Sequence, residues 1–308
     1  MRVKKLVATI GSVLTIAAGS AAMSTVTAST ASADPASCPS MYVVAIPGTW
    51  ETSSGAAPRP GMLTAVTDRI ASSDIRTDYV SYPATAFPWE GGIYGESRAI
   101  ATANAGGMLK SVADRCGATK FGIIGYSQGA DAAGDLAASI GTGLGVVPAD
   151  KVVAVGLISD PKRSDADALV GPEVVGTGVG GPRVGGFGYV SPVVRTFCAV
   201  GDLYCSTPKD DYVARLAGFL AVSSDPSPDV AAKAQQDAQI LLGDIASAGG
   251  LPVLQGQLSD QANEQRRREI EAFYRSGIHQ EYASYAVDSS GVSATTWLAN
   301  YLVGASGT

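Results

Sequence analysis

The sequence contains a single histidine in 308 residues, and charged residues make up only 16% of it. One histidine and four cysteines without a zinc-binding spacing do not form a metal-binding pattern, so we expect no metal. Basic residues are also scarce, and the formal net charge is −6. Their one cluster, Arg266–Arg268, is typical of a solvated helix face. We therefore expect no nucleic-acid partner.

No segment after the N-terminus is long and apolar enough to span a bilayer, and the N-terminus itself has the order of residue types of a secretory signal peptide. MRVKK is basic, LVATIGSVLTIAAGSAA is apolar, and STASA supplies small residues before Asp34. This order predicts a signal peptide over residues 1–33, and an uncleaved membrane anchor is the alternative. We expect the mature chain, residues 34–308, to be secreted, either extracellular or associated with the cell envelope, and monomeric.

The four cysteines are an even number, which in an exported protein suggests two disulfide bonds. They are Cys38, Cys116, Cys198 and Cys205, and three pairings are possible. We favour Cys198–Cys205, because these two would close a short local loop, and this leaves Cys38–Cys116. The second bond would tie the start of the mature domain to the helix that precedes the FGII stretch.

Five apolar segments rich in β-branched residues predict the strands of one sheet. Their apolar character is continuous rather than alternating, which is typical of strands buried on both faces. Helical stretches separate them, including residues 94–115. We therefore expect an α/β fold, a three-layer sandwich around a central, mainly parallel five-stranded sheet. The predicted strands are MYVVAIPG (41–48), TDYVSYP (77–83), KFGIIGYS (120–127), KVVAVGLISDP (151–161) and VVRTFCAVGD (193–202).

A glycine-rich segment, residues 171–188, contains the spacing G-x-G-x-x-G at Gly176, Gly178 and Gly181. No strand leads directly into it, and Pro182 follows where a dinucleotide-binding fold would begin a helix. We interpret this segment as a flexible surface loop and not as a nucleotide site.

Residues 206–278 differ from the rest of the chain because they are rich in Ala, Gln and Asp and poor in strand formers. They predict a helical insertion, with Asp210 and Asp211 opening its first helix. One apolar stripe at helical spacing runs through it, formed by Val230, Ala234, Ala238, Leu241 and Ile245.

The pattern G-x-S-x-G occurs in GYSQGADAAG, residues 125–134, directly after FGII. In a chain with 37 glycines, five letters could arise by chance. The context is more specific, because an apolar strand enters a tight turn and a helix follows. Such a turn presents the Ser127 hydroxyl at the carboxyl end of the strand, where a nucleophile can be reached by a base.

A serine nucleophile needs a base, and His279 is the histidine available for that role. The acid that orients the imidazole should follow a strand between the serine and the histidine. Asp202 in CAVGDLYC meets this requirement, and we prefer it to Asp160 in ISDP, one strand earlier. For the oxyanion, the turn offers the amide of Gln128 and PGTWET offers Thr49, although PGTW could also be a plain strand-end turn.

Together these segments resemble the cutinase family of α/β-hydrolase serine esterases, in particular the cutinase-like proteins exported by mycobacteria and related actinobacteria. The resemblance covers residues 38–205 and 277–303 and includes the four-cysteine framework. The segments that carry it are GYSQGA (125–130), CAVGDLYC (198–205), HQEYASY (279–285), PGTWET (47–52) and YPATAFPWEGGIYGESRA (82–99).

The resemblance implies a role for each residue already singled out. Ser127 would be the nucleophile, His279 the base and Asp202 its orienting acid. The backbone amides of Gln128 and Thr49 would form the oxyanion hole. No metal or organic cofactor is implied.

The family's arrangement also implies the pairs Cys38–Cys116 and Cys198–Cys205. The sequence departs from it in one respect: minimal members place the histidine soon after the second disulfide, whereas here residues 206–278 intervene. Since Asp202 and His279 flank this segment and must meet, it should lie beside the site. There it would form a lid or an acyl-chain groove, or a buttress without substrate contact.

The sequence thus predicts an exported serine esterase that hydrolyses carboxylic esters with apolar acyl chains, such as lipid, polyester or cell-envelope esters, at a lipid or polymer surface. Two alternatives use the same scaffold. One is acyl transfer to a sugar or lipid alcohol by the same triad, and the other is a non-catalytic envelope protein that binds lipid.

Overall fold

The structure is a computed structural model that describes residues 38–55, 61–225 and 228–307. The predicted signal peptide lies outside these residues. At the centre is a five-stranded parallel sheet with the strand order β2-β1-β3-β4-β5. Its strands are β1 (Met41–Ile46), β2 (Ile75–Tyr79), β3 (Lys120–Tyr126), β4 (Val152–Ile158) and β5 (Val194–Phe197).

All five predicted strands exist, but the predicted segments run past the carboxyl ends of the real ones. After β1 the chain meets Pro47, which has no N–H for the sheet ladder. After β3 and β4 the chain turns sharply at Ser127 and Ser159, which have φ of 54° and 53°. The apolar pattern continued because these turns are buried, and burial alone does not distinguish a strand from a buried turn.

Helices cover both faces of the sheet. Successive side chains of β1 point to opposite faces and pack against different helices. Tyr42, Val44 and Ile46 belong to a buried cluster with α2 and α3, whereas Met41 and Val43 belong to a second cluster with α1 and α8. Each fully buried aliphatic side chain contributes about 1.5–3 kcal/mol, so both faces must be covered. These helices are α1 (Thr64–Ile70), α2 (Tyr94–Arg115), α3 (Gln128–Gly141) and α8 (Ala294–Ser306).

Between β5 and α8 lies a helical segment with a small core of its own. The predicted stripe is confirmed at Leu241 and Ile245, which are buried with Tyr212. Ala234 and Ala238 are half-buried, and the side chain of Val230 lies outside the described residues. The helices of this segment are α4 (Tyr212–Val222), α5 (Pro228–Ser247), α6 (Leu251–Gln257) and α7 (Asp260–Ser276).

Asp211 caps α4, because its side chain accepts a hydrogen bond of 3.0 Å from the amide of Ala214. This is the position that the sequence predicts for an acid.

Two disulfide bonds brace the fold. Cys38 is bonded to Cys116 at the end of α2, and Cys198 is bonded to Cys205 across the turn that follows β5. The second bond encloses Asp202, so it closes the loop on which the proposed acid lies. Among the described residues, no helix is both long and apolar enough to span a membrane.

The chain leaves the sheet at the same edge after each parallel strand. Strand order reverses between β1 and β3, and in open parallel sheets ligands bind at the carboxyl ends of the strands beside such a reversal. Ser127 follows β3, Ser159 follows β4 and Asp202 follows β5. The fold therefore gathers these three side chains along one edge.

Candidate active site

The turn that carries Ser127 is built by close backbone contacts. A Cβ added to Gly125 would lie 2.2 Å from the carbonyl oxygen of Gly129, and one added to Gly129 would lie 2.0 Å from that of Ile46. Neither glycine can be replaced without moving the backbone. Ser127 itself has φ 54° and ψ −122°, a strained conformation for a residue with a side chain. Packing therefore requires both glycines of G-x-S-x-G, so their presence does not merely reflect the high glycine content of the chain.

Three side chains from distant parts of the chain form one hydrogen-bonded series. His279 Nε2 lies 3.0 Å from Ser127 Oγ, and His279 Nδ1 lies 2.9 Å from Asp202 Oδ2. Asp202 is fully buried, while the imidazole is 17% exposed. A base can therefore take the serine proton while its other nitrogen stays bonded to a buried carboxylate.

Asp202 is surrounded by neutral donors. Tyr282 and Ser159 each donate a hydroxyl hydrogen bond of 2.7 Å to Oδ2, and the amide of Tyr204 donates one of 3.1 Å to Oδ1. Burial raises the pKa of Asp202, but the hydrogen bonds from His279, Ser159 and Tyr282 outweigh it and hold that pKa below its ordinary value. The carboxylate is therefore ionised at neutral pH.

The histidine loop is fixed from two sides. Gly277 ends α7 with φ 67°, which turns the chain towards the sheet. Tyr126 then donates a hydrogen bond of 2.7 Å to the carbonyl oxygen of His279. The Tyr204 ring centroid lies 4.6 Å from that of the imidazole. These contacts orient the ring between Ser127 and Asp202.

Asp160, the alternative acid, lies in a different environment. It is fully buried and is paired with Arg183, whose guanidinium also contacts Asp131 at 3.2 Å and Asp135 at 3.0 Å. Arg98 pairs with Asp135 as well. In the described structure Asp202, not Asp160, contacts the imidazole.

The glycine-rich segment is not a plain surface loop, and in this respect the prediction was wrong. It supplies Arg183, which is buried, and its Gly178 and Gly180 amides donate hydrogen bonds of 2.8 Å to the carbonyl oxygens of Arg163 and Pro161. The glycines of this segment allow close backbone contact. The sequence pattern gives no indication of the partners of Arg183.

The residues predicted for the oxyanion hole lie side by side. Gln128 is the first residue of α3, so its amide has no acceptor within the helix. Its side chain is buried and donates to the carbonyl oxygens of Thr85 at 2.9 Å and Tyr94 at 3.3 Å. Thr49 Oγ1 lies 3.5 Å from Gln128 Oε1. This contact holds the loop after β1 against the start of α3.

The sequence analysis did not identify Ser159, Tyr282 and Tyr126, although each of them contacts Asp202 or His279. Ser159 lies beside Asp160 at a strand end, and no motif in the sequence distinguishes it from other serines. Tyr282 follows His279 by one helical turn, which was an available signal for a second side chain on the same loop.

Aromatic side chains flank the site on two sides. Phe273, near the end of α7, has its ring centroid 6.3 Å from that of His279, and the adjacent Tyr274 lies 3.0 Å, hydroxyl to hydroxyl, from Tyr204. On the Thr49 side, Trp50 is exposed and donates a hydrogen bond of 2.6 Å to Glu90. The helical segment after β5 therefore borders the imidazole.

Beside Trp50, Phe87 and Trp89 stack with ring centroids 4.5 Å apart and both are exposed. Glu90 fixes their loop, since it accepts hydrogen bonds from the amides of Ala86 and Phe87 as well as from Trp50. An ordered apolar surface thus lies next to Thr49, one of the residues predicted for the oxyanion hole. In the part of the chain that the structure describes, no group of three or more His, Cys, Asp or Glu residues is arranged to hold a metal ion.

The chain is similar to several known proteins. A protein described as a carboxylesterase Culp6 homolog, from Corynebacterium glutamicum, is 33% identical over 205 residues, which is 56% of this chain and 66% of that protein. The chain therefore aligns with just under two thirds of that relative. Among solved structures, the catalytic core domain of an acetyl xylan esterase from Trichoderma reesei superposes with a TM-score of 0.46 at 23% identity, covering 68% of this chain and 98% of that one.

A cutinase-like protein from Cryptococcus sp. superposes with a TM-score of 0.42 at 19% identity, covering 70% of this chain and 98% of that one. The model of the family named Cutinase matches residues 37–218. That match contains Ser127 and Asp202 and ends within α4, before His279. Because it covers more than half of the sequence, the chain belongs to the cutinase family.

Proposed function

We propose that this chain is an exported serine esterase that hydrolyses carboxylic esters with apolar acyl chains. One observation carries the proposal: Ser127 Oγ, the two ring nitrogens of His279 and Asp202 Oδ2 form a continuous series with distances of 3.0 and 2.9 Å. Membership of the cutinase family and the name of the Corynebacterium relative support the same chemistry.

The reaction has two steps that use the same groups in turn. Ser127 Oγ attacks the ester carbonyl carbon while His279 Nε2 accepts its proton, and the imidazolium then gives this proton to the departing alcohol. Water next attacks the acyl carbonyl carbon while His279 Nε2 takes its proton; the bond to Ser127 Oγ then breaks, the imidazolium returns the proton to Oγ, and the carboxylic acid product leaves. In both steps the amides of Gln128 and Thr49 would donate to the oxyanion, each contributing about 3 kcal/mol.

The apolar surroundings support a substrate with a long or bulky apolar part, such as a lipid, polyester or cell-envelope ester. Trp50, Phe87 and Trp89 are exposed beside the oxyanion-hole residues, and Phe273 lies beside the imidazole. On this basis residues 206–278 form one wall of the acyl site rather than a buttress remote from it.

The protein would be exported as a single-domain monomer. Export rests on the signal-peptide pattern of residues 1–33 and is supported by the two disulfide bonds, which are typical of extracellular proteins. The mature chain, residues 34–308, would then be one hydrolase domain with a helical insertion over about 206–278, acting as a monomer.

Ser127→Ala tests the proposal directly. The variant should lose hydrolysis of a chromogenic acyl ester and labelling by a fluorophosphonate probe, because both need the serine oxygen. Its melting temperature should stay close to that of the unchanged protein. Ser111→Ala, an exposed serine on α2, is the matched control and should keep both activities. Hydrolysis that survives in Ser127→Ala would contradict the assignment.

A further inference from the structure

Ser159 lies at the triad but has no part in the mechanism above. It is the first residue after β4, is fully buried, and has φ 53°. Its amide donates a hydrogen bond of 2.8 Å to the carbonyl oxygen of Phe197, which holds the turn against β5. A non-glycine residue in this conformation is strained, and such strain persists where the surrounding contacts require it.

The Ser159 hydroxyl contacts both partners of the acid–base pair. Its oxygen lies 2.7 Å from Asp202 Oδ2 and 3.0 Å from His279 Nδ1, while those two atoms are 2.9 Å apart. The three atoms therefore form a closed triangle of hydrogen-bond distances.

Proton counting decides the direction of each bond in the triangle. The hydroxyl has one proton, and the carboxylate, which has none, takes it. The serine oxygen can then face Nδ1 only as an acceptor, so Nδ1 meets two acceptors and carries the ring proton. Nε2 is left with its lone pair towards Ser127, as a base requires.

We infer that Ser159 is a positioning residue that holds Asp202 and His279 together and keeps the ring proton on Nδ1. The inference rests on the proposed function, since it concerns the same triad. Ser159 is suited to this role because it is neutral: it orders Asp202 without cancelling the negative charge that stabilises the imidazolium. A lysine or arginine at the same place would compete with His279 for that charge.

The first test separates the hydroxyl from the backbone. Ser159→Ala keeps the strained φ and removes only the hydroxyl, whereas Ser159→Gly removes the hydroxyl and relieves the strain. Both should lower kcat by about 10- to 100-fold, the value of a hydrogen bond to a charged group. The KM should change by less than about twofold, because Ser159 is buried and does not touch substrate.

Thr119→Val is the matched control. Thr119 is buried at the opposite end of β3, and its hydroxyl donates an equally short bond, 2.7 Å, to the carbonyl oxygen of Pro39. Removing this hydroxyl should cost stability and leave kcat unchanged. Equal losses of kcat in Thr119→Val and Ser159→Ala would reduce Ser159 to a structural residue and overturn the inference.

The second test uses the fact that the chain contains one histidine, so its ring signals need no assignment. In nitrogen-15 spectra of the unchanged protein at neutral pH, Nδ1 should carry the proton. In Ser159→Ala the Nδ1 proton should exchange with water faster, because one of its two acceptors is gone. An exchange rate and a kcat that both match the unchanged protein would overturn the inference.

Failure of the proposed esterase function and failure of the proposed role of Ser159 would give different results. If the unchanged protein neither hydrolyses esters nor reacts with a fluorophosphonate, the proposed function is wrong, and the histidine spectra alone then decide for or against Ser159. If the unchanged protein is active and Ser159→Ala and Ser159→Gly are equally active, the function stands and the role of Ser159 is refuted.

Discussion

Two buried aspartates at the ends of neighbouring strands have opposite surroundings. Asp160 follows β4 and is paired with the Arg183 guanidinium. Asp202 follows β5 and is bonded by hydroxyl, amide and imidazole donors, with no lysine or arginine partner among its described hydrogen bonds and ion pairs. Both are fully buried, so burial does not distinguish them.

The difference shows how a fold divides work between identical side chains. An aspartate paired with arginine has its charge compensated permanently and can only tie segments together. Neutral donors keep a carboxylate ionised but leave its charge available to the one partner that changes protonation. In this structure the buried acid with neutral or titratable partners is the one that contacts His279.

The largest expected effect separates these two aspartates by activity. Asp202→Asn should lower kcat/KM by about 10⁴-fold, because an amide can donate to Nδ1 and favour the tautomer with the proton on Nε2. The measurement is steady-state hydrolysis of a chromogenic ester by folded, purified variant. A larger loss in Asp160→Asn than in Asp202→Asn would reverse the assignment of the acid.

Asp160→Asn should instead affect stability. Removing one partner of a buried ion pair leaves Arg183 undercompensated, which typically costs about 3–5 kcal/mol in the free energy of unfolding. Urea denaturation measures this loss, and kcat of the folded fraction should change little. As a control, Asp114→Asn disrupts an exposed pair with Lys110 and should be nearly neutral. Equal costs in the two variants would mean that the Arg183 cluster is not structural.

Much of the framework that places the two aspartates could be predicted from the sequence, since it depends on local signals. Continuous apolar runs located all five strands, and the spacing of Leu241 and Ile245 revealed a buried helix face. Strand-end positions singled out Ser127, Asp202 and Asp160, because parallel strands end at one edge of the sheet. The sequence favours Asp202 over Asp160 because Asp202 follows the later of the two strands before His279.

What escaped prediction depends on contacts between distant segments. Arg183 lies in a glycine-rich stretch without periodicity, and its space is provided by Gly134 of α3, where an added Cβ would lie 2.2 Å from the guanidinium carbon. Ser159 is one serine among many, and its value comes from Asp202 and His279, which lie 43 and 120 residues away. No local pattern encodes either arrangement.

Low pH should reveal the lowered pKa of Asp202 through a loss of stability, which is a smaller effect than those above. The folded-state pKa of Asp202 lies below its ordinary value, because the hydrogen bonds from His279, Ser159 and Tyr282 outweigh burial. Its stabilisation is therefore present above the unfolded-state pKa of about 3.9 and is lost as the pH falls through the lower folded-state value. The difference in free energy of unfolding between the unchanged protein and Asp202→Asn should narrow below about pH 4. A difference that stays constant down to pH 2.5 would contradict this.

The smallest expected effect is a change in acyl-length preference when Phe273, which lies beside the imidazole, is shortened. Phe273→Leu keeps an apolar side chain in a buried place but shortens it next to His279, so it should change the preference for acyl length rather than the chemistry. We expect a shift of about 3- to 10-fold in the ratio of kcat/KM for long over short acyl esters. Leu242→Ala, on the exposed side of α5, is the control and should leave this ratio unchanged. If both variants give the ratio of the unchanged protein, the helical segment supports the histidine loop without touching substrate, and the acyl site must lie on the side of Trp50.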